Sequence, residues 1–171
     1  MEQSIFVEQI VARKNPPFTK ATLGVMIVLT VFVGLNGILL LQPVALVLFL
    51  ALLAMLYFMF LQVNIEYEYS VTEDVLDIDV IRWKRKRKHL VSMSMDSVVV
   101  IAPARTDPVS AYVGRKLKTY DCTSHDADHE YYTLVFKPQG ETVEQKVLFE
   151  PDETVIDALW RKAPSKVHKQ A

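Results

Sequence analysis

The sequence contains no charged residue between Lys20 and Glu66. The almost unbroken apolar block 21–61 fills this interval. One helix of that length would run about 60 Å, against a hydrocarbon core of about 30 Å. Leu41-Gln42-Pro43 interrupts the block near its centre, and proline ends or kinks a helix. The missing charge therefore predicts a two-span transmembrane hairpin over 21–63.

Ionisable side chains are absent from both predicted spans, 21–41 and 44–63. A proton relay or an ion pathway normally requires such a side chain within the membrane. Their absence favours an anchor over a transporter. The block also follows about 20 polar and mixed residues and is too long for the apolar core of a signal peptide, so we expect it to be retained.

Cysteine and glycine are scarce: the sequence has a single cysteine, Cys122, and five glycines. A single cysteine excludes an internal disulfide, which fits a reducing compartment. The glycines do not cluster after residue 63, so a glycine-rich phosphate loop is excluded. The net charge of −1 gives no global attraction to nucleic acid or membrane. Electrostatic arguments must therefore be local.

Basic residues lie beside the first predicted span and not in the turn between the spans. Arg13, Lys14 and Lys20 flank the span, whereas Gln42-Pro43 carries no positive charge. The positive-inside rule places the N-terminus in the cytoplasm, and an even number of spans returns the C-terminus to the same side.

The sequence divides into four segments. Mixed apolar and polar residues over 2–14 predict a short amphipathic helix, which Asn15-Pro16-Pro17 ends. The expected organisation is an N-terminal cytoplasmic segment at 1–20, the hairpin at 21–63, a cytoplasmic β-rich domain with a C-terminal helix at 64–164, and a tail at 165–171.

After residue 63 the apolar period changes to two, which predicts strands. We expect a loop over 103–116 with room for a short helical turn, and a helix from Pro151 to Pro164 with a buried stripe of Val155, Ile156, Leu159 and Trp160. The predicted strands are 65–71, 76–80, 89–95, 98–102, 117–123, 131–137 and 142–149.

About seven antiparallel strands followed by one amphipathic helix resemble the pleckstrin-homology-like superfold, an α+β open barrel capped by a C-terminal helix. A resemblance at this level implies a fold and no function.

Nearly the whole chain also resembles an uncharacterised family of small bacterial two-span membrane proteins with a domain of unknown function. The resemblance implies bacterial origin and this architecture, and it includes the basic run after Trp83. Together with the predicted hairpin, bacterial origin leads us to expect a location in the inner membrane. The matching segments are VEQIVARK at 7–14, IEYEY at 65–69, LDIDVIRW at 76–83, IAP at 101–103, FEPDE at 149–153 and APSKV at 163–167.

The strongest local signal is a run of six cations around one tryptophan. A second strand that returns antiparallel to the first would bring this run back to the bilayer surface, where anionic headgroups attract Lys and Arg and Trp sits at the interface. The run predicts a lipid or partner contact. Its members are Arg82, Trp83, Lys84, Arg85, Lys86, Arg87 and Lys88.

Two other interpretations of the basic run stay open. Acids are frequent in the preceding strands, for example Glu68 and Asp79, so cross-strand pairs could neutralise the cations. A protein or nucleic-acid partner is the third interpretation. Nucleic acid fits worst, because we find no recognition helix and no aromatic strand built for base stacking.

A second cluster, CTSHDADHE at 122–130, holds Cys122, His125 and His129 among acids. Cysteine and histidine are zinc ligands, and a cysteine beside a histidine can act as a nucleophile. The spacing matches no standard zinc pairing, and a catalytic triad normally draws on distant segments. Solvated residues of a polar loop are therefore the default interpretation, and we expect no metal, cofactor or enzymatic activity.

Gly34, Asn36 and Gly37 form a small-residue face in the first predicted span. Such a face permits close helix packing, either inside the hairpin or with another membrane protein or a second copy. The functional hypothesis is a non-catalytic, membrane-anchored binding or scaffolding module, held on anionic lipid by the basic run. The alternatives are an accessory or regulatory subunit of a larger membrane assembly and, least favoured, a metal-dependent enzyme.

Overall fold

A computed structural model describes residues 6–170. The chain forms two compact units. One comprises Lys14–Ile65, and the other comprises the residues up to Arg13 together with Glu66 and everything after it.

The first unit is a pair of helices, α1 at Pro17–Leu39 and α2 at Pro43–Gln62. Both are long and apolar enough to cross a membrane. The predicted break is confirmed: α2 begins at Pro43, whose missing N–H costs nothing in the first helical turn. The backbone reverses at Leu41, which has a φ of 48°.

Glycines let α1 and α2 approach closely. A Cβ on Gly34 would lie 2.6 Å from the ring of Phe49, and one on Gly37 would lie 3.2 Å from Ala45. Of the alternatives for this face, packing between the two helices of the hairpin is the one that the structure shows. The Asn36 side chain donates to the Phe32 carbonyl one turn earlier at 2.8 Å, so it serves its own helix.

The second unit contains two four-stranded sheets. The first has the order β1-β2-β3-β4, and the second has the order β5-β7-β8-β6. The strands are β1 Phe6–Ala12, β2 Ile65–Thr72, β3 Val75–Arg82, β4 Lys86–Ser94, β5 Val98–Pro103, β6 Lys118–Asp121, β7 Tyr132–Phe136 and β8 Gln145–Phe149.

The N-terminal amphipathic helix is a wrong prediction. Residues 6–12 form β1, which pairs antiparallel with β2 from Phe6↔Thr72 to Ala12↔Glu66. A short helix is marginal by itself, whereas β2 offers an edge with unpaired backbone groups. The part of the prediction that covers residues 2–5 lies outside the described residues.

The prediction of about seven antiparallel strands is also corrected. With β1 the described chain has eight strands, and they lie in two sheets. The short strand β6 pairs with β8 in parallel, from Lys118↔Gln145 to Asp121↔Leu148. Periodicity indicates where strands occur, but pairing partners and direction depend on contacts distant in sequence.

Two helices complete this unit, α3 at Asp107–Val113 and α4 at Glu153–Lys162. The former is the helical turn expected in the loop 103–116. Asp152 caps α4 by accepting a hydrogen bond from the Val155 N–H at 2.8 Å.

The apolar stripe of α4 is buried as predicted at Val155, Ile156 and Leu159, but not at Trp160. Trp160 is 42% exposed, and the Lys169 ammonium lies 4.7 Å from its ring centre. Trp160 lies about 40° around the helix from the buried Ile156 but about 100° from Leu159, so it falls at the edge of the buried face.

Candidate functional site

The basic run forms a tight hairpin between β3 and β4. Arg82 pairs with Lys86, and the Arg85 N–H donates to the Arg82 carbonyl at 3.2 Å. The two residues between Arg82 and Arg85 are Trp83 and Lys84, which have φ angles of 59° and 53°. Two consecutive positive φ angles characterise the type I′ turn, whose twist suits a hairpin. We call residues 82–88 the basic hairpin.

All seven residues of the basic hairpin are exposed. Trp83, at the tip, is 37% exposed. Within residues 6–170, Arg87 is the member that forms an ion pair. The cations for which that part of the chain provides no acidic partner are Arg82, Lys84, Arg85, Lys86 and Lys88.

Cross-strand ion pairs neutralise some of the charged side chains on this face of the sheet. Arg87 Nη2 lies 2.7 Å from Glu68 Oε2, and next to it His89 Nδ1 lies 2.9 Å from Asp79 Oδ1. The pairing interpretation therefore holds for one cation of the basic hairpin and for the adjacent histidine.

Glu68 is unusual for a strand acid because its side chain is only 4% exposed. Burial, followed by a hydrogen bond with the Glu8 carboxyl, raises the pKa of Glu68 to about 7, although the Arg87 guanidinium opposes the shift. The carboxyl therefore changes charge near neutral pH.

The basic hairpin lies at one particular end of its sheet. Ala12 at the end of β1 pairs with Glu66 near the start of β2. Because β3 returns alongside β2 after a two-residue turn, its last residue Arg82 reaches that same end. Both chain connections to the apolar helices, 13–16 and 63–64, leave the sheet at this end.

The loop 122–130 has a different character. Cys122 is fully buried, and the Tyr69 hydroxyl donates to its carbonyl at 2.6 Å. Burial, with a contribution from Asp121, raises the pKa of the Cys122 thiol to about 12. Burial and a raised pKa both disfavour the reactive thiolate, so they weaken the metal-ligand and nucleophile hypotheses at Cys122.

The two histidines of this loop each lie beside an acid that is close in sequence. His125 Nε2 lies 3.3 Å from Asp121, and His129 Nδ1 lies 3.7 Å from Asp126. Within residues 6–170 no group of three or more His, Cys, Asp or Glu side chains is placed to hold a metal ion.

An open cavity of about 1040 Å³ lies beside this loop. Its wall also includes the turn before α3, Glu150 after β8, and the tail at 168–170. Glu150 is fixed by Ser124, whose N–H and hydroxyl donate to it at 2.9 and 3.0 Å. The lining combines polar and apolar side chains and carries both signs of charge.

Sequence reasoning missed β1, the burial of Glu68 and this cavity. The strand β1 had no period-two signal in the sequence, because its exposed face carries the apolar residues Phe6 and Ile10. The burial of Glu68 had no signal either, because it depends on residues from β1 and β4 that meet only in the folded sheet.

One family matches nearly the entire sequence: residues 3–169 match Bacterial PH-like domain (DUF6106). No curated protein and no solved structure shows significant similarity to the chain.

Proposed function

The chain belongs to the DUF6106 family of bacterial PH-like domains, and from this premise we propose that it is a membrane-anchored, non-catalytic binding module. In this proposal the basic hairpin contacts anionic lipid headgroups. The helices α1 and α2 span the bacterial inner membrane, and both termini lie in the cytoplasm.

One observation carries the proposal. The described part of the chain provides no acidic partner for five exposed cations, Lys84 among them, on a tight turn. That turn occupies the sheet end from which both short connections to the apolar helices depart. In this proposal the shortness of the two connections is the reason to expect this end of the sheet close to the bilayer.

The energetics favour a lipid contact at such a place. Each Lys or Arg near an anionic leaflet contributes about 1 kcal/mol, and the attraction falls off within a Debye length of about 8 Å. Five cations would thus contribute about 5 kcal/mol at most. Trp83 at the tip has the amphipathic ring that is typical of the headgroup region.

The proposed membrane topology is based on the composition of the two helices and on the charges that flank them. The helices α1 and α2 contain no acid, and the basic residues Arg13, Lys14 and Lys20 precede or begin α1. Reporter fusions at the two termini test this part, and a periplasmic reporter at either end would contradict it.

The lipid contact is tested with the full-length chain in lipid nanodiscs. A Trp160→Phe background leaves Trp83 as the single tryptophan. The bilayer holds a constant fraction of brominated phosphatidylcholine, while phosphatidylglycerol replaces unlabelled phosphatidylcholine stepwise. We expect quenching of Trp83 fluorescence to rise with the phosphatidylglycerol fraction.

Two charge-matched variants provide the control. Changing Lys84, Lys86 and Lys88 to Glu should abolish the response to phosphatidylglycerol. The same change at the exposed residues Lys116, Lys118 and Lys137, which lie around the second sheet, should preserve it. Equal responses from both variants, or a wild-type response that ignores phosphatidylglycerol, would contradict the proposal.

The alternative of a subunit in a larger membrane assembly loses its main sequence argument. Gly34 and Gly37 face Phe49 and Ala45 of the same hairpin. Purification in mild detergent tests the alternative directly, and a stoichiometric protein partner would favour it over the lipid module.

A further inference from the structure

Five titratable side chains meet on one face of the first sheet, beside the basic hairpin. They come from all four strands: Glu8 from β1, Glu68 from β2, Asp79 from β3, and Arg87 and His89 from β4.

Arg87 belongs to both features. It is a member of the basic hairpin, and its side chain is 59% exposed, so it can reach outward. At the same time its guanidinium forms the 2.7 Å ion pair with the nearly buried Glu68 carboxylate. One side chain cannot make both contacts fully, because an ion pair within the sheet turns its charge away from an external anion.

We propose that Glu68 regulates the lipid contact, holding Arg87 on the sheet face when ionised and releasing it to anionic headgroups when protonated. This inference rests on the proposed lipid-binding function of the basic hairpin. It adds proton uptake at Glu68 as the event that strengthens that binding.

The groups around Glu68 set the direction of the effect. Glu8 and Asp79 repel its ionised form, Arg87 favours the ionised form, and burial opposes it most strongly. His89 is bonded to Asp79 and lies on the same face. These influences together raise the pKa of Glu68 to about 7, so the switch operates around neutral pH.

The sign follows from linkage. Protonation of Glu68 frees the positive charge of Arg87, and headgroup binding in turn favours the protonated form. One additional cation near an anionic surface corresponds to about a fivefold gain in binding. The phosphatidylglycerol fraction at half-maximal quenching of Trp83 should therefore be about fivefold lower at pH 6 than at pH 8.

The test uses the same nanodiscs and the same Trp160→Phe background at both pH values. Glu68→Gln should respond equally at pH 6 and pH 8, with the strength that the parent shows at pH 6. Arg87→Gln should also lose the pH dependence but respond weakly at both values. His89→Gln is the matched control, because it removes a neighbouring imidazole on this face and leaves the Arg87–Glu68 ion pair in place, so it should keep most of the pH dependence.

The outcomes separate this inference from the proposed function. A parent that responds to phosphatidylglycerol equally at pH 6 and pH 8 overturns the inference and leaves the lipid contact standing. Retention of the pH dependence in Glu68→Gln, or its loss in His89→Gln alone, likewise overturns the role of Glu68. The absence of any response to phosphatidylglycerol at either pH overturns the proposed function, and the inference with it.

Discussion

The basic hairpin 82–88 holds six cations, and the loop 122–130 holds six side chains of Cys, His, Asp or Glu. In the hairpin a tight turn exposes all its residues, and Arg87 is the one of its six cations that has an acidic partner among residues 6–170. In the loop Cys122 is sealed in the core, and both histidines face neighbouring acids. The difference teaches that a dense group of charged or metal-ligating side chains is available to a ligand only where the fold leaves the side chains exposed and without an internal partner.

The largest expected effect comes from placing the same charge in the two regions. Cys122→Asp would bury a carboxylate without a partner and should cost about 3 to 5 kcal/mol of unfolding free energy. Lys86→Asp in the basic hairpin should cost less than about 0.5 kcal/mol, because the side chain stays in water. Urea unfolding of the full-length protein in detergent measures both, and similar losses would break the comparison.

The second prediction concerns stability against pH. The pKa of Glu68 is raised from 4.5 to about 7 in the folded state, so the folded protein holds this proton more tightly than the unfolded chain does. The resulting stability is fully present below about pH 4.5 and is lost as pH rises through 7. Wild type should therefore lose on the order of 2 kcal/mol more than Glu68→Gln between pH 5 and pH 8.

The difference between wild type and Glu68→Gln isolates this group from the other titrating residues. Urea unfolding at several pH values provides the measurement. If the unfolding free energies of the two proteins changed with pH in parallel, the folded sheet would not raise the pKa of Glu68.

A third prediction sharpens the structural role of the loop. The Tyr69 hydroxyl donates to the Cys122 carbonyl and accepts from the Glu150 N–H at 3.3 Å. Tyr69→Phe leaves both buried backbone groups without this partner, and we expect a loss of about 1 to 2 kcal/mol. Thermal unfolding checks it, and an unchanged midpoint would contradict the importance of this link.

The smallest expected effect belongs to the unpaired cations. Lys84→Gln and Lys88→Gln should each change the unfolding free energy by no more than about 0.5 kcal/mol, since no ion pair within residues 6–170 is lost. A larger destabilisation in urea unfolding would show that these side chains support the fold and are not reserved for a ligand.

Much of the architecture could be predicted from local patterns. The uncharged block and Pro43 indicated two helices, and alternation located β2 and β3 closely, because both signals come from neighbouring residues. The strand β1 could not be recognised in this way, since its conformation depends on the edge of β2, more than fifty residues away. The parallel pairing of β6 with β8 could not be predicted for the same reason.

The candidate site was predictable to a similar degree. The composition of positions 82–88 indicated a basic segment, but which of its cations form ion pairs could not be predicted from the sequence. Opposite charges on adjacent strands suggested wholesale neutralisation, whereas the register directs only Arg87 to Glu68. The burial of Cys122 was equally hidden, because Tyr69 and the core that cover it come from distant strands.

The most direct test of the account reads both regions in one experiment. Hydrogen exchange of the full-length protein, followed by mass spectrometry, is compared in nanodiscs of phosphatidylcholine with and without phosphatidylglycerol. The account predicts that phosphatidylglycerol slows exchange in peptides that cover 82–88 and leaves peptides that cover 122–130 unchanged. Unchanged exchange at 82–88, or equal slowing in both regions, would contradict it.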